Sequence, residues 1–284
     1  MDTKEIKSKF PIFKNKINGK RLVYLDSANS SQKPKVVIDR ISKFYSQEFS
    51  NVGRSVHSLA VTATNRFEET RDLMRKYINA KSREEIIFTK NATEAINLVA
   101  STYGEKFIES GDEILITELE HHANYVPWHF LRQKKGAIIK FAKCNDRGEV
   151  DIDEIKKLIN NKTKIIAITH LSNVTGVIMP IKKIVDLASE KKIPVLVDGC
   201  QGAPHLKLDM QELGCDFYAI SCHKMYGPTG VGVLYAKKKW LDVLPPYQGG
   251  GGMIEEVKKE SITFPGSPTK YEAGTLQTAE VVGF

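Results

Sequence analysis

The chain has 284 residues, 41% of them apolar, which is enough to bury one large α/β core or two smaller ones. Its formal charge of +8 arises from 42 Lys and Arg against 34 Asp and Glu. The basic residues are interspersed with acids, and the local excesses at 4–21 and 237–239 do not place aromatics to stack on bases, so a nucleic acid partner is not indicated. No apolar run approaches membrane-spanning length, and the polar N-terminus with Asp2 and Glu5 is neither a secretory signal nor a transit peptide.

Residues 1–21 read as a polar arm with a short helix, and R-L-V-Y-L-D at 21–26 as a brief strand. Residues 27–34 carry turn chemistry. Residues 36–49 show helical spacing at Val37, Ile41, Phe44 and Tyr45. A longer helix is expected over 57–78, with Leu59, Ala63, Phe67, Met74 and Ile78 forming a core stripe. From residue 85 apolar strands alternate with helices. The strands are expected at 86–89, 114–117, 138–141, 164–169, 194–197, 217–220 and 231–236, and the helices at 93–103, 123–135, 151–161 and 181–191. That alternation defines an α/β protein with a mostly parallel sheet of about seven strands, covered by helices on both faces.

In such sheets ligands bind beyond the carboxyl ends of the strands. Polar residues follow five of them: N-A-T-E after Thr89, E-L-E-H-H after Thr117, H-L-S-N after Thr169, D-G-C-Q after Val197 and S-C-H-K after Ile220. Lys224 sits just past the end of an apolar strand, with Ser221 and His223 beside it as phosphate ligands. A rigidly held, partly desolvated lysine is what Schiff-base chemistry needs, whereas a lone lysine in a turn is ordinarily a solvated surface group. Asp198, closing P-V-L-V, is a helix cap or a charge partner. Opposite a lysine bonded to pyridoxal phosphate it would hold the protonated pyridine nitrogen. Asn91, Ala92 and Thr93 open a helix whose free N–H groups favour a phosphate, and they serve equally as its cap.

The adjacent His121 and His122 do not share a helix face, and no third ligand is placed by spacing, so a metal is not expected. The glycine-rich stretches at 227–232 and 249–252 lack the dinucleotide pattern and read as turns near the site. Four cysteines, Cys144, Cys200, Cys215 and Cys222, stand without C-x-x-C spacing, which fits reduced thiols and a cytoplasmic location.

The motifs D-G-C-Q (198–201), S-C-H-K-M-Y-G-P-T-G-V-G (221–232), E-H-H-A-N-Y-V-P-W (120–128), H-L-S-N-V-T-G (170–176) and Y-E-A-G-T (271–275) together resemble the group II, SUF-type cysteine desulfurases. These belong to the class V aminotransferase branch of fold type I pyridoxal-phosphate (PLP) enzymes, and the resemblance runs from about Phe10 to Phe284. It implies that Lys224 is the Schiff-base lysine and that the His121 imidazole stacks on the ring; these two are the expected catalytic residues. It further implies that Asp198 holds the pyridine nitrogen and that Gln201 and Asn173 lie near the phenolic oxygen. Ala92, Thr93, Ser221 and His223 would bind the phosphate, and Gly274 and Thr275 would reach the phosphate of the other subunit of a homodimer. The implied reaction turns L-cysteine into L-alanine and passes the sulfur as a persulfide to an acceptor protein of the SUF system, for iron–sulfur cluster assembly. A selenocysteine lyase, another class V enzyme and a non-catalytic PLP-binding remnant are the alternatives.

By the same resemblance residues 1–35 would be an N-terminal arm, 36–245 the PLP-binding large domain, and 246–284 a glycine-rich, inter-subunit segment. The sulfur-accepting cysteine and the arginine for the substrate carboxylate would lie in a small C-terminal domain, so the sequence reads as C-terminally truncated. A helix starting near its end is too short to be stable alone. Cys222 stands as the cysteine nearest the cofactor and is expected to be packing, since free cysteine is commonly buried filler. Asn29 departs from the small apolar residue usual beside the substrate.

Overall fold

Seven strands form the central sheet of the computed structural model, which describes all residues except Met1 and Arg54. They are β1 (Ile86–Thr89), β2 (Glu113–Thr117), β3 (Ile138–Ala142), β4 (Thr163–Thr169), β5 (Val195–Asp198), β6 (Phe217–Ser221) and β7 (Gly232–Ala236). Their spatial order is β1-β7-β6-β5-β4-β2-β3. β7 runs antiparallel to both of its neighbours, β1 and β6, and the other pairings are parallel. Two reversals cancel, so the carboxyl ends of β1, β2, β4, β5 and β6 share one edge, as the alternation of elements requires.

The inner strands are apolar on both sides because both sides are covered, whereas the edge strand β3 is largely exposed and carries Lys140. In β6, Phe217 and Ala219 join the layer containing Ile87 and Leu234, while Tyr218 and Ile220 join the layer of Phe88 and Val233. The first layer is roofed by helices α3 (Ala92–Phe107) and α4 (Val126–Lys135), through Ile96, Val99, Trp128 and Leu131. The second is roofed by α2 (Ser58–Tyr77), α5 (Ile152–Leu158) and α6 (Ile181–Glu190), through Phe67, Met74, Ile155 and Ile184. Each such side chain contributes about 1.5–3 kcal/mol by leaving water.

Local signals set the helix ends that matter for the site. The Asn91 side chain accepts the Glu94 N–H at 2.9 Å, and the Glu94 carboxylate accepts the Lys90 N–H at 2.6 Å, which fixes where α3 begins. At its far end α4 stops on Gly136, whose φ of 75° is the left-handed cap glycine allows.

Two expectations are corrected, and a third is completed. Residues 22–26 form no ladder beyond the Lys16–Ile17 and Lys20–Arg21 hairpin; no strand edge faces them, and Leu25 is left 92% exposed. Leu59 lies on the exposed face of α2, above the level of the core, while Ala63, Phe67, Met74 and Ile78 are buried. The closing helix α7 (Thr278–Gly283) is short but not isolated, because Ala279 and Val282 pack on Phe44 and Ala63. Gly283 permits this approach to Ile41, whose Cγ1 would lie 2.2 Å from an added Cβ. Ile41 belongs to α1 (Lys35–Lys43), which precedes Phe44.

Candidate active site

A cavity of about 190 Å³ opens at the shared carboxyl edge. The five predicted strand ends all reach it: Ala92 and Thr93 beyond β1, His121 and Ala123 beyond β2, Thr169, Leu171 and Asn173 at β4, Asp198, Cys200 and Gln201 at β5, and Ser221, His223 and Lys224 at β6. Asn29 closes it from the N-terminal arm. Nine of the eleven residues singled out from the sequence are therefore neighbours in space. Gly274 and Thr275 are not among them; both are exposed, and Gly274 lines a separate cavity beside Arg71 and Glu272.

The floor of the cavity is the turn carrying Asp198 and Gln201. Gly199 is required there, because an added Cβ would lie 1.8 Å from Cε1 of Tyr218, and one on Gly202 would lie 2.8 Å from both His170 Nδ1 and the Tyr218 hydroxyl. His170 Nδ1 and the Tyr218 hydroxyl share a hydrogen bond of 2.7 Å beneath this turn. Burial pushes the His170 imidazole down to about 4, so it is neutral near pH 7. Asp198 is buried and accepts the Cys200 N–H at 3.0 Å. It has no Lys or Arg within ion-pair distance among the described residues. A buried carboxylate at the wall of a cavity, without a protein cation, is prepared for a cationic group from a ligand.

The walls are equally specific. His121 Nδ1 accepts the Ala123 N–H at 3.1 Å, which leaves the ring proton on Nε2 and fixes the plane of the imidazole. Beside it Glu120 accepts from Thr117 Oγ1, Asn124 Nδ2 and the Thr169 N–H at 2.6, 2.6 and 3.0 Å, tying β2 to β4. Burial pushes the Glu120 carboxyl up to about 8 against the pull of these donors. Asn91 spends its side chain on the helix cap, whereas Thr93 reaches the cavity, so the two readings of the N-A-T segment are divided between two residues. His223 Nδ1 meets the Ser30 hydroxyl at 3.1 Å, and burial, then Lys224 and Lys33, hold its imidazole below the ordinary value. Gly232 lets β7 pass the Asn91 backbone, 2.4 Å from where a Cβ would stand.

The cysteine that lines the cavity is Cys200, not Cys222, which is fully buried in the core. Alternation along the chain explains it: Cys222 follows the strand inward into the core layer, while Cys200 sits in the open turn after β5. Cys200, Thr169 and Leu171 were legible only as neighbours of chosen residues. The glycine-rich stretches lie outside the cavity, and the second pairs with the Y-E-A-G-T segment through Gly274 N–H to Gly251 O at 2.7 Å.

A parallel sheet that presents lysine, aspartate and histidine on one edge above a helix N-terminus defines a class of site built for an anionic, nitrogen-bearing ring. The sequence matches the family described as aminotransferase class-V over residues 23–284, and the chain belongs to that family. Within it the relatives are cysteine desulfurases by name. A probable cysteine desulfurase of Staphylococcus aureus is 49% identical over 99% of this chain and 68% of its own length. One from Mycolicibacterium paratuberculosis is 48% identical over 99% of this chain and 41% of its own length. The solved cysteine desulfurase CsdA of Escherichia coli superposes with a TM-score of 0.91 at 38% identity, covering 100% of this chain and 70% of that one. The apo cysteine desulfurase of Thermococcus onnurineus gives 0.93 at 33%, covering 100% and 69%. The chain thus spans roughly two fifths to seven tenths of the length of these proteins.

Proposed function

We propose that this chain is the cofactor-binding part of a PLP-dependent cysteine desulfurase, which converts L-cysteine to L-alanine and hands the sulfur on as a persulfide. The observation that carries the reading is the buried Asp198 carboxylate, with no Lys or Arg at ion-pair distance among the described residues, in the same cavity as Lys224. The residues fit the cofactor. Asp198 would meet the pyridine nitrogen, His121 would lie on the ring, and Gln201 and Asn173 would reach its phenolic oxygen. Thr93, Ser221 and His223, with the N–H groups opening α3 at Ala92, would hold the phosphate. Bound pyridoxal phosphate would supply an electron sink next to the substrate's amino group.

The remaining chemistry belongs to the chain. Lys224 Nζ would hold the cofactor and would serve as the base that takes the Cα proton and returns a proton to the product. His121, whose Nδ1 is taken by the Ala123 N–H, keeps its Nε2–H as the ring's donor and would offer it within the cavity it lines. Asn29 narrows the entrance. None of the four thiols suits sulfur acceptance: Cys215 and Cys222 are buried, burial pushes the Cys200 thiol up, and Cys144 lies beside Glu118, away from the cavity. We therefore place the accepting thiol on polypeptide outside these 284 residues, and Gly274 and Thr275 against a second subunit's phosphate. Sulfur acceptance by a SUF-type partner in the cytoplasm completes the reading. The names of the relatives favour cysteine over selenocysteine, as does SspA in complex with cysteine, a solved neighbour at 27% identity and a TM-score of 0.81.

The test is alanine release from L-cysteine by the chain loaded with pyridoxal phosphate, with excess dithiothreitol as the sulfur acceptor. Turnover abolished by Lys224→Ala is expected. Alanine release that persists undiminished in Lys224→Ala contradicts the desulfurase reading.

A further inference from the structure

The arm residues 26–33 are tied to the lysine-bearing turn by more bonds than a surface loop requires. The carbonyl of His223, the residue before Lys224, accepts the Ser31 N–H at 3.1 Å, the Ser31 hydroxyl at 3.0 Å and Lys33 Nζ at 2.8 Å. Lys33 Nζ also donates to the Ser31 carbonyl at 2.6 Å. It has no carboxylate within ion-pair distance among the described residues. Burial holds this amine below the ordinary lysine value. A half-buried ammonium placed on backbone carbonyls alone loses part of its hydration, an unfavourable arrangement unless the carbonyls need it.

They do, because the turn is strained. Tyr226, two residues after Lys224, has a φ of 65°, a left-handed conformation that costs a bulky side chain on the order of 1–3 kcal/mol. Its N–H is held by Ser31 Oγ at 2.8 Å, so the serine that caps the His223 carbonyl also restrains the strained residue. On the other side of the cavity Gln201 Nε2 donates to Ala28 O at 2.6 Å, anchoring the same arm to the Asp198 turn. A lysine at the end of a short helix commonly takes up a carbonyl that the helix leaves free, and here that helix is Cys222–Lys224.

We propose that Lys33 is a positioning residue for Lys224: its ammonium, with Ser31, clamps the His223 carbonyl and holds the strained 222–226 turn so that the Lys224 amine stays in the cavity. This rests on the reading of the cavity as a pyridoxal phosphate site. Lys33→Met keeps the apolar stem and removes the donor; Lys33→Arg restores a cation that can reach the carbonyl.

The experiment titrates each protein with pyridoxal phosphate, following the visible absorption that requires Lys224, and records the thermal midpoint of the unloaded chain. Lys33→Met should weaken binding about tenfold, the scale of one hydrogen bond to a charged group, with the midpoint moved by less than about 2 °C. Lys33→Arg should regain most of the affinity, and Ser31→Ala should lose affinity in the same direction as Lys33→Met. Affinity unchanged in Lys33→Met overturns the proposal. So does an equal loss in the Met and Arg variants accompanied by a lowered midpoint, which would mark a role in stability alone. A wild-type chain without the Lys224-dependent absorption would overturn the reading of the cavity, and the clamp with it.

Discussion

Glu272 lies in the Y-E-A-G-T segment but points away from the candidate active site, into the core beside β1. Its two carboxylate oxygens accept from Arg71 Nη1 and Nη2 at 2.8 and 2.9 Å, and the first also accepts the Phe88 N–H at 2.7 Å. Arg71 is 1% exposed, donates further to the Ile86 carbonyl at 2.7 Å, and lies over the rings of Phe67 and Phe88. Glu272→Ala removes the carboxylate and leaves the buried guanidinium with Glu68 alone, at 3.0 Å and itself one-third exposed. Breaking a buried pair by deleting one partner costs about 3–5 kcal/mol, whereas an exposed pair contributes less than about 1. Lys35 and Asp39, on one exposed face of α1, provide that comparison within the molecule. In urea, with a slope of roughly 3 kcal/mol per molar, Glu272→Ala should lower the midpoint by about 1 M or more. Asp39→Ala should move it by a few tenths at most. A Glu272→Ala loss no larger than that of Asp39→Ala would refute the argument that the 271–275 segment is fixed to the core by a desolvated ion pair.

Three further outcomes follow from the geometry. Gly199→Ala sets a methyl 1.8 Å from the Tyr218 ring, so it should cost at least about 1–3 kcal/mol of stability and weaken cofactor binding by displacing Asp198; calorimetry and titration read the two. His170 titrates at about 4 when folded and near 6.5 when unfolded, so between those values the unfolded chain binds more protons and stability falls as pH falls. His170→Asn should flatten that acid limb in denaturant curves taken from pH 7 to 4. Glu120 acts in the opposite sense: its folded carboxyl, raised to about 8 from 4.5, holds its proton longer than the unfolded one, and stability falls as pH rises between them. Glu120→Gln should remove that slope, and an unchanged profile would contradict the burial argument.

The strand ends could be read from the sequence because a run such as P-V-L-V-D states both its burial and its end, and parallel sheets deliver such ends to one edge. Lys224, Asp198, His121 and Thr93 were reached in this way. Lys33 was not. In S-Q-K-P it reads as turn chemistry, and its partner, the His223 carbonyl, is 190 residues away and carries no side-chain signal. Cys200 was overlooked because its neighbours in D-G-C-Q had clearer chemistry, and Arg71 because an arginine on a helix is ordinarily solvated. Leu25 misled for the complementary reason: an apolar run such as L-V-Y-L announces an extended backbone, not a strand partner.

The most direct test of the account is the absorbance spectrum of the purified chain titrated with pyridoxal phosphate, repeated with Lys224→Ala and with Asp198→Ala. The account predicts a visible band that is saturable in the wild type, absent in Lys224→Ala, and weakened and altered in its pH dependence in Asp198→Ala. A band that persists without Lys224, or a wild type that shows none, would contradict it.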